Sequence, residues 1–123
     1  MPSIRFGTTA MISYERLSTF DKEFKKLFKK YRSLNEDLTV FKDALELFPC
    51  GQSNNSQIVN DSGNVKIIKS RLFCRYLRGS TLRIVYAYHQ NENLICFLEI
   101  YFKGQKENED RSRIKAYLSK LTK

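Results

Sequence analysis

Two alternating stretches, residues 82–89 and 94–103, constrain this chain more than any other feature. In the first, Leu82, Ile84, Tyr86 and Tyr88 take one side, and Arg83, Val85, Ala87 and His89 the other. In the second, Leu94, Cys96, Leu98, Ile100 and Phe102 are apolar throughout, while Ile95, Phe97, Glu99, Tyr101 and Lys103 are mixed. Period-two alternation in branched and aromatic residues specifies strands. Asn91, Glu92 and Asn93 between them specify a turn.

An antiparallel pair must bring its apolar sides together. With 91–93 as the loop, Gln90 lies opposite Leu94, Arg83 opposite Tyr101, and Val85 opposite Glu99. Arg83, Glu99, Tyr101 and Lys103 then share an open face with Val85, Ala87, Ile95 and Phe97. Such a set of cations, phenol and carboxylate suits phosphate chemistry. A solvated face with cross-strand charge pairs uses the same residue types, so spacing alone leaves both readings open.

The rest of the chain supplies packing. Ser18 is the expected N-cap of a first helix, with Asp21 three residues on. Phe20, Phe24, Leu27, Phe28 and Tyr31 form its apolar stripe, and the lysines at 22, 25, 26, 29 and 30 its wet face. A second helix starts near Asn35, carries Leu38, Phe41, Ala44, Leu45 and Phe48, and stops at Pro49. The short break between them predicts an antiparallel helical hairpin. Residues 49–64 read as a polar loop, with an extended piece at 57–59. Residues 65–69 approach the sheet and 72–78 form a strand, with Gly79 and Ser80 as a two-residue turn. That turn puts Tyr76 opposite Arg83; a shift by one puts Arg75 and Leu77 on the open face. Asn108 caps a short last helix, with Glu109 and Asp110 in its first turn. Its stripe is Ile114, Tyr117, Leu118 and Leu121, leaving Arg111, Arg113, Lys115, Lys120 and Lys123 outside. Residues 1–11 are poorly patterned and expected to be loose, with a short strand at 11–14 an option.

The 123 residues, 41% apolar, predict one domain with one core. No run is long and apolar enough to span a membrane, and the N-terminus lacks a secretory h-region. Cys50, Cys74 and Cys96 are odd in number and widely spaced, and His89 is the only histidine. No metal-ligand set or cofactor motif is expected, Cys96 reads as a core filler, and a reducing cytoplasm is the simple inference. The formal charge of +9 is uneven: residues 1–64 hold nine Lys/Arg against eight Asp/Glu, and residues 65–123 thirteen against five. Cations concentrated in the sheet half point to a polyanionic partner, with nucleic acid foremost.

Over residues 15 to 120, the ordered set FDKEFKKLFKKY, a second helix, LRGSTLRIVYAY, LICFLEIYFKGQKENED and a short last helix resembles the RelE/ParE superfamily of toxins from bacterial type II toxin–antitoxin modules. The resemblance implies an α+β fold: a helical hairpin on a twisted antiparallel sheet of about four strands, closed by a short C-terminal helix. It implies a metal-independent endoribonuclease cutting mRNA on the ribosome, or a ParE-like inhibitor of DNA gyrase, in either case neutralised by an antitoxin protein. A strand arginine in a pattern similar to LRIVY contacts the scissile phosphate, which matches Arg83. A second basic residue follows the last long strand, where Lys103 and Lys106 stand. Basic residues of the preceding strand fall near Cys74 and Tyr76, neither of them basic, with Arg75 and Arg78 close by. The tyrosine or histidine that the family places near the C-terminus has no clear match, since Tyr117 comes late and on the apolar stripe. The expected catalytic residues are therefore Arg83, Lys103 and Lys106, with Glu99 as a base. The expected RNA-binding residues are Arg71, Arg75, Arg78, Tyr76 and Tyr101, with Tyr101 stacking on a base. His89 is expected at the surface.

Overall fold

The computed structural model describes residues 11–52, 54–78 and 80–121. Most of the reading of residues 1–11, and those of Gly79 and Lys123, lie outside them. The elements run β1 (Ser13–Arg16), α1 (Ser18–Lys30), α2 (Leu34–Leu47), β2 (Ser56–Asp61), β3 (Val65–Phe73), β4 (Thr81–His89), β5 (Leu94–Phe102) and α3 (Arg111–Leu121). The sheet has five strands in the order β1-β5-β4-β3-β2, all antiparallel except β1 beside β5. This is the expected α+β architecture, with more strand than the sequence announced.

Helices cover both faces. On one, Phe20 and Phe24 of α1 and Leu34, Leu38 and Leu45 of α2 are buried against Leu72, Ile84, Tyr86 and Phe97. Each fully buried side chain of this size contributes roughly 2 kcal/mol. On the other face, Ile114 of α3, with Tyr117 and Leu118, packs on Ile67, Val85, Ala87, Cys96 and Leu98. The face read as open is therefore closed over much of its length.

The hairpin register explains how. Arg83 lies opposite Tyr101 and Val85 opposite Glu99, as the alternation required. Beyond them the pairing slips: Tyr86 faces Phe97 and His89 faces Leu94, leaving Leu98 unpaired as a β-bulge. The turn is correspondingly one residue longer, and Asn93 takes a positive φ of 52°. Ile95 and Phe97 thereby pass to the α1/α2 core, and Cys96 and Leu98 to the α3 core. His89 is 4% exposed, not at the surface, with Nε2 2.6 Å from the Tyr117 hydroxyl.

Other local readings are corrected too. Leu17, not Ser18, caps α1, and Asp21 pairs with Arg16 instead of closing a capping box. Asp110, not Asn108, caps α3, its Oδ1 accepting from Arg113 N at 3.0 Å. Most of the polar run read as loop is split: residues 56–61 form β2, which pairs along β3. β3 runs unbroken from Val65 to Phe73, and a turn at Cys74–Leu77 follows it, Leu77 N donating to the Cys74 carbonyl at 3.0 Å. Residues 74–78 turn away outside the sheet and Phe73 pairs with Thr81, so Arg71, not Tyr76, lies opposite Arg83.

Candidate nucleic-acid interface

Strand pairing alone assembles the core of the site. Arg71 on β3, Arg83 on β4 and Tyr101 on β5 are direct partners in one row across the sheet, so their side chains rise from the same face. The next row toward the sheet's end pairs Phe73 with Thr81. Arg83 Nη1 donates to Thr81 Oγ1 at 2.5 Å, two residues back on the same strand, which draws the guanidinium toward that end. Like charges directly opposite one another destabilise a sheet. Yet among the described residues no carboxylate pairs with Arg71, Arg83, Arg78 or Lys103.

These side chains line an open cleft of about 1160 Å³ between the N-terminal turn of α2, the 74–80 connection and the end of β5. Arg71, Arg75, Arg78, Arg83 and Lys103 all contribute to its wall, beside Phe73 and Val40. Arg75 is already engaged, paired with Glu36 and 3.7 Å from Asp37. Asp37 is buried and fixes the connection: it accepts from Ser33 Oγ at 2.6 Å and from Arg75 N at 3.3 Å, while Ser33 Oγ accepts from Tyr76 N at 3.3 Å. The N-terminus of α2 thus clamps one wall of the cleft.

The remaining expected site residues divide. Tyr76 is 61% exposed but lies outside this cleft, beside a separate hollow with Arg75 and Arg78. Tyr101 is buried, not free to stack on a base; burial and the nearby Glu109 and Glu99 push its phenol up to about 12, against the pull of Arg83. Lys106 also lies outside the cleft wall, its ammonium 5.2 Å from the Tyr101 ring centre and paired with Glu99. Glu99 is 1% exposed and also accepts from Asp110 N at 2.8 Å, so it anchors α3 and is closed to a substrate hydroxyl.

That anchor belongs to a network the sequence reading missed. Lys69 pairs with the buried Glu109 at 2.9 Å. Burial raises the Glu109 carboxyl, but Lys69 and Arg111 outweigh it and hold it below its ordinary value. Arg113, read as an outward residue, turns inward: it pairs with Glu23 of α1 at 2.8 Å and donates to the Leu98 carbonyl, also at 2.8 Å. The only sequence signal was five acids scattered among thirteen cations in this half of the chain.

The helices on one sheet face, the strand order and the closing α3 make this the RelE-like toxin fold. One similar structure is an archaeal RelE–RelB complex from Pyrococcus horikoshii OT3, 15% identical with a TM-score of 0.58, covering 78% of this chain and 99% of that one. A metal-bound toxin from Helicobacter pylori is 18% identical with a TM-score of 0.55, at 78% and 99% coverage. A mutant of the E. coli toxin RelE in the free state is 18% identical with a TM-score of 0.51, at 80% and 90% coverage. No protein-family model and no curated protein matches the chain.

Proposed function

We propose that this chain is the toxin of a type II toxin–antitoxin module, an endoribonuclease that cuts mRNA on the ribosome and is held inactive by an antitoxin protein. The observation that carries the reading is the Arg71–Arg83 pair, two guanidinia directly opposed without a carboxylate, at the mouth of a cleft in a RelE-like fold. An RNA phosphodiester supplies the missing anion. Its 2′-OH attacks the adjacent phosphorus, the 5′ oxygen leaves, and Arg83 stabilises the charge that grows on the phosphoryl oxygens. Arg71 and Lys103 hold the flanking phosphates. Among the described residues the cleft wall carries no histidine or tyrosine, and its acids, Glu36 and Asp37, are bound to Arg75. A site with cations but no free proton carrier gains most from a substrate already bent into line, which is why the ribosome is the expected setting.

The same lack of a proton carrier favours a second reading, a non-catalytic inhibitor of DNA gyrase with the same fold. One experiment separates them. The purified chain is added to translating ribosomes with 5′-end mapping of mRNA, and in parallel to a gyrase supercoiling assay. Cleavage lost in Arg83→Ala supports the ribonuclease; intact mRNA with blocked supercoiling selects the inhibitor. Restored growth on co-expressing a protein from a neighbouring reading frame tests the antitoxin.

A further inference from the structure

The cleft has an apolar part that phosphate binding leaves unused. Phe73, the last residue of β3, is 62% exposed, and no other ring packs on it among the described residues. A phenylalanine left this bare forgoes most of the stabilisation its burial would bring, and with the equally bare Val40 it makes an apolar part of the wall of a charged cleft. The strand fixes its position. Arg71 lies two residues back on the same face, which sets their Cα atoms about 7 Å apart. Across the ladder Phe73 faces Thr81, the residue that holds the Arg83 guanidinium. Ring and guanidinia therefore line one cleft, with Val40 beside the ring.

A nucleotide divides in the same way: a flat apolar base at one end, an anionic phosphate at the other, one sugar between them. We infer that Phe73 is a stacking platform for an unpaired nucleobase whose phosphate lies on Arg71 and Arg83. The inference rests on the RNA reading above, but requires only that RNA enters the cleft, not that it is cut. Every base has a π-face, so stacking is tolerant of sequence. The ring contributes affinity and sets which phosphate meets Arg83. A protein segment seated on Phe73 and Val40 is the competing occupant.

The test uses the full chain and a six-nucleotide 2′-O-methyl RNA, which cannot be cut, with binding followed by fluorescence anisotropy. Phe73→Ala weakens binding about 5- to 100-fold, whereas Phe73→Tyr stays within about twofold and Phe73→Leu follows the alanine variant. The dependence of affinity on salt is unchanged by Phe73→Ala, while Arg71→Ala lowers its logarithmic slope by about 0.7. An abasic version of the oligonucleotide binds the wild type more weakly by the same factor, and Phe73→Ala costs it nothing further. Equal affinity of the wild type and Phe73→Ala for the base-bearing RNA overturns the inference and leaves the patch to a protein partner. Failure of the wild type to bind the RNA overturns it as well. If this binding pattern holds while mRNA on ribosomes stays whole, the ribonuclease reading alone is lost.

Discussion

Two parts of one sheet face use the same residue types to opposite effect. Under α3, cations meet carboxylates: Lys69 with Glu109 at 2.9 Å, Lys106 with Glu99, and Arg113 with Glu23 at 2.8 Å. One row further along, Arg71 and Arg83 face each other with no acid between them among the described residues. Paired charges in the first region fix a helix to a sheet. Unpaired charges in the second repel one another across the strands. What separates the two kinds of charge here is the presence of a partner, since paired Lys69 and unpaired Arg71 rise from neighbouring same-face positions of β3.

The largest expected effect breaks the contrast at its functional end. Arg83→Ala lowers mRNA cleavage on ribosomes by about 10²- to 10³-fold, with a melting temperature close to that of the wild type because no buried pair is lost. A comparable fall for Glu99→Gln at unchanged stability would erase the distinction. Next, Glu99→Ala removes the acceptor of Lys106 and of Asp110 N, and should cost about 2 kcal/mol in denaturant unfolding. Retained stability in this variant would show that the pairs under α3 are as loose as those of an exposed surface.

The acid side sharpens the comparison further. Because the folded-state pKa of Glu109 is depressed, its contribution is present above the ordinary carboxylate range and is lost as pH falls through the folded value. The stability difference between wild type and Glu109→Gln should therefore shrink as melts are taken from neutral pH into that range, and a difference constant with pH would contradict the pairing with Lys69. The smallest effect is a gain. Arg71→Glu replaces a like-charge pair by an opposite one and should stabilise the chain by about 0.5 kcal/mol, while weakening RNA binding. A variant less stable than the wild type would mean that the two arginines do not repel in the folded protein.

Much of this was legible in the residues. Alternation in β4 and β5 fixed the rows at Arg83 and Val85, and thereby the neighbours of the central arginine. It could not reveal the bulge at Leu98, because an extra apolar residue in an apolar run leaves no trace in composition. The bulge then reversed the facing of Ile95, Cys96 and Phe97 relative to the outer rows. β2 was legible only as an extended piece at 57–59, because an edge strand such as SQIVND is polar and carries half-exposed residues on either side. Arg71 lost its partner to a plausible turn: Gly79–Ser80 looked like a tight hairpin, whereas Phe73 is the residue paired with Thr81, and Arg75 and Tyr76 fold against Ser33 and Asp37. Of the residues read together from the sequence, Arg83 and Lys103 line the cleft, while Glu99 and Lys106 differ from them through a tertiary pairing that residue type does not announce.

The parallel placement of β1 has a consequence for assembly. Ser13 is matched with Leu94, and Glu46 of α2 accepts from Ile12 N at 3.2 Å and from the Tyr14 hydroxyl at 2.8 Å. Neither the neighbouring strand nor that carboxylate is in position until the intervening polypeptide has collapsed, and closing so distant a contact is entropically slow. As an edge strand held by these distant partners, β1 should exchange first: deuterium is expected to enter the Ser13–Arg16 amides well before those of β4.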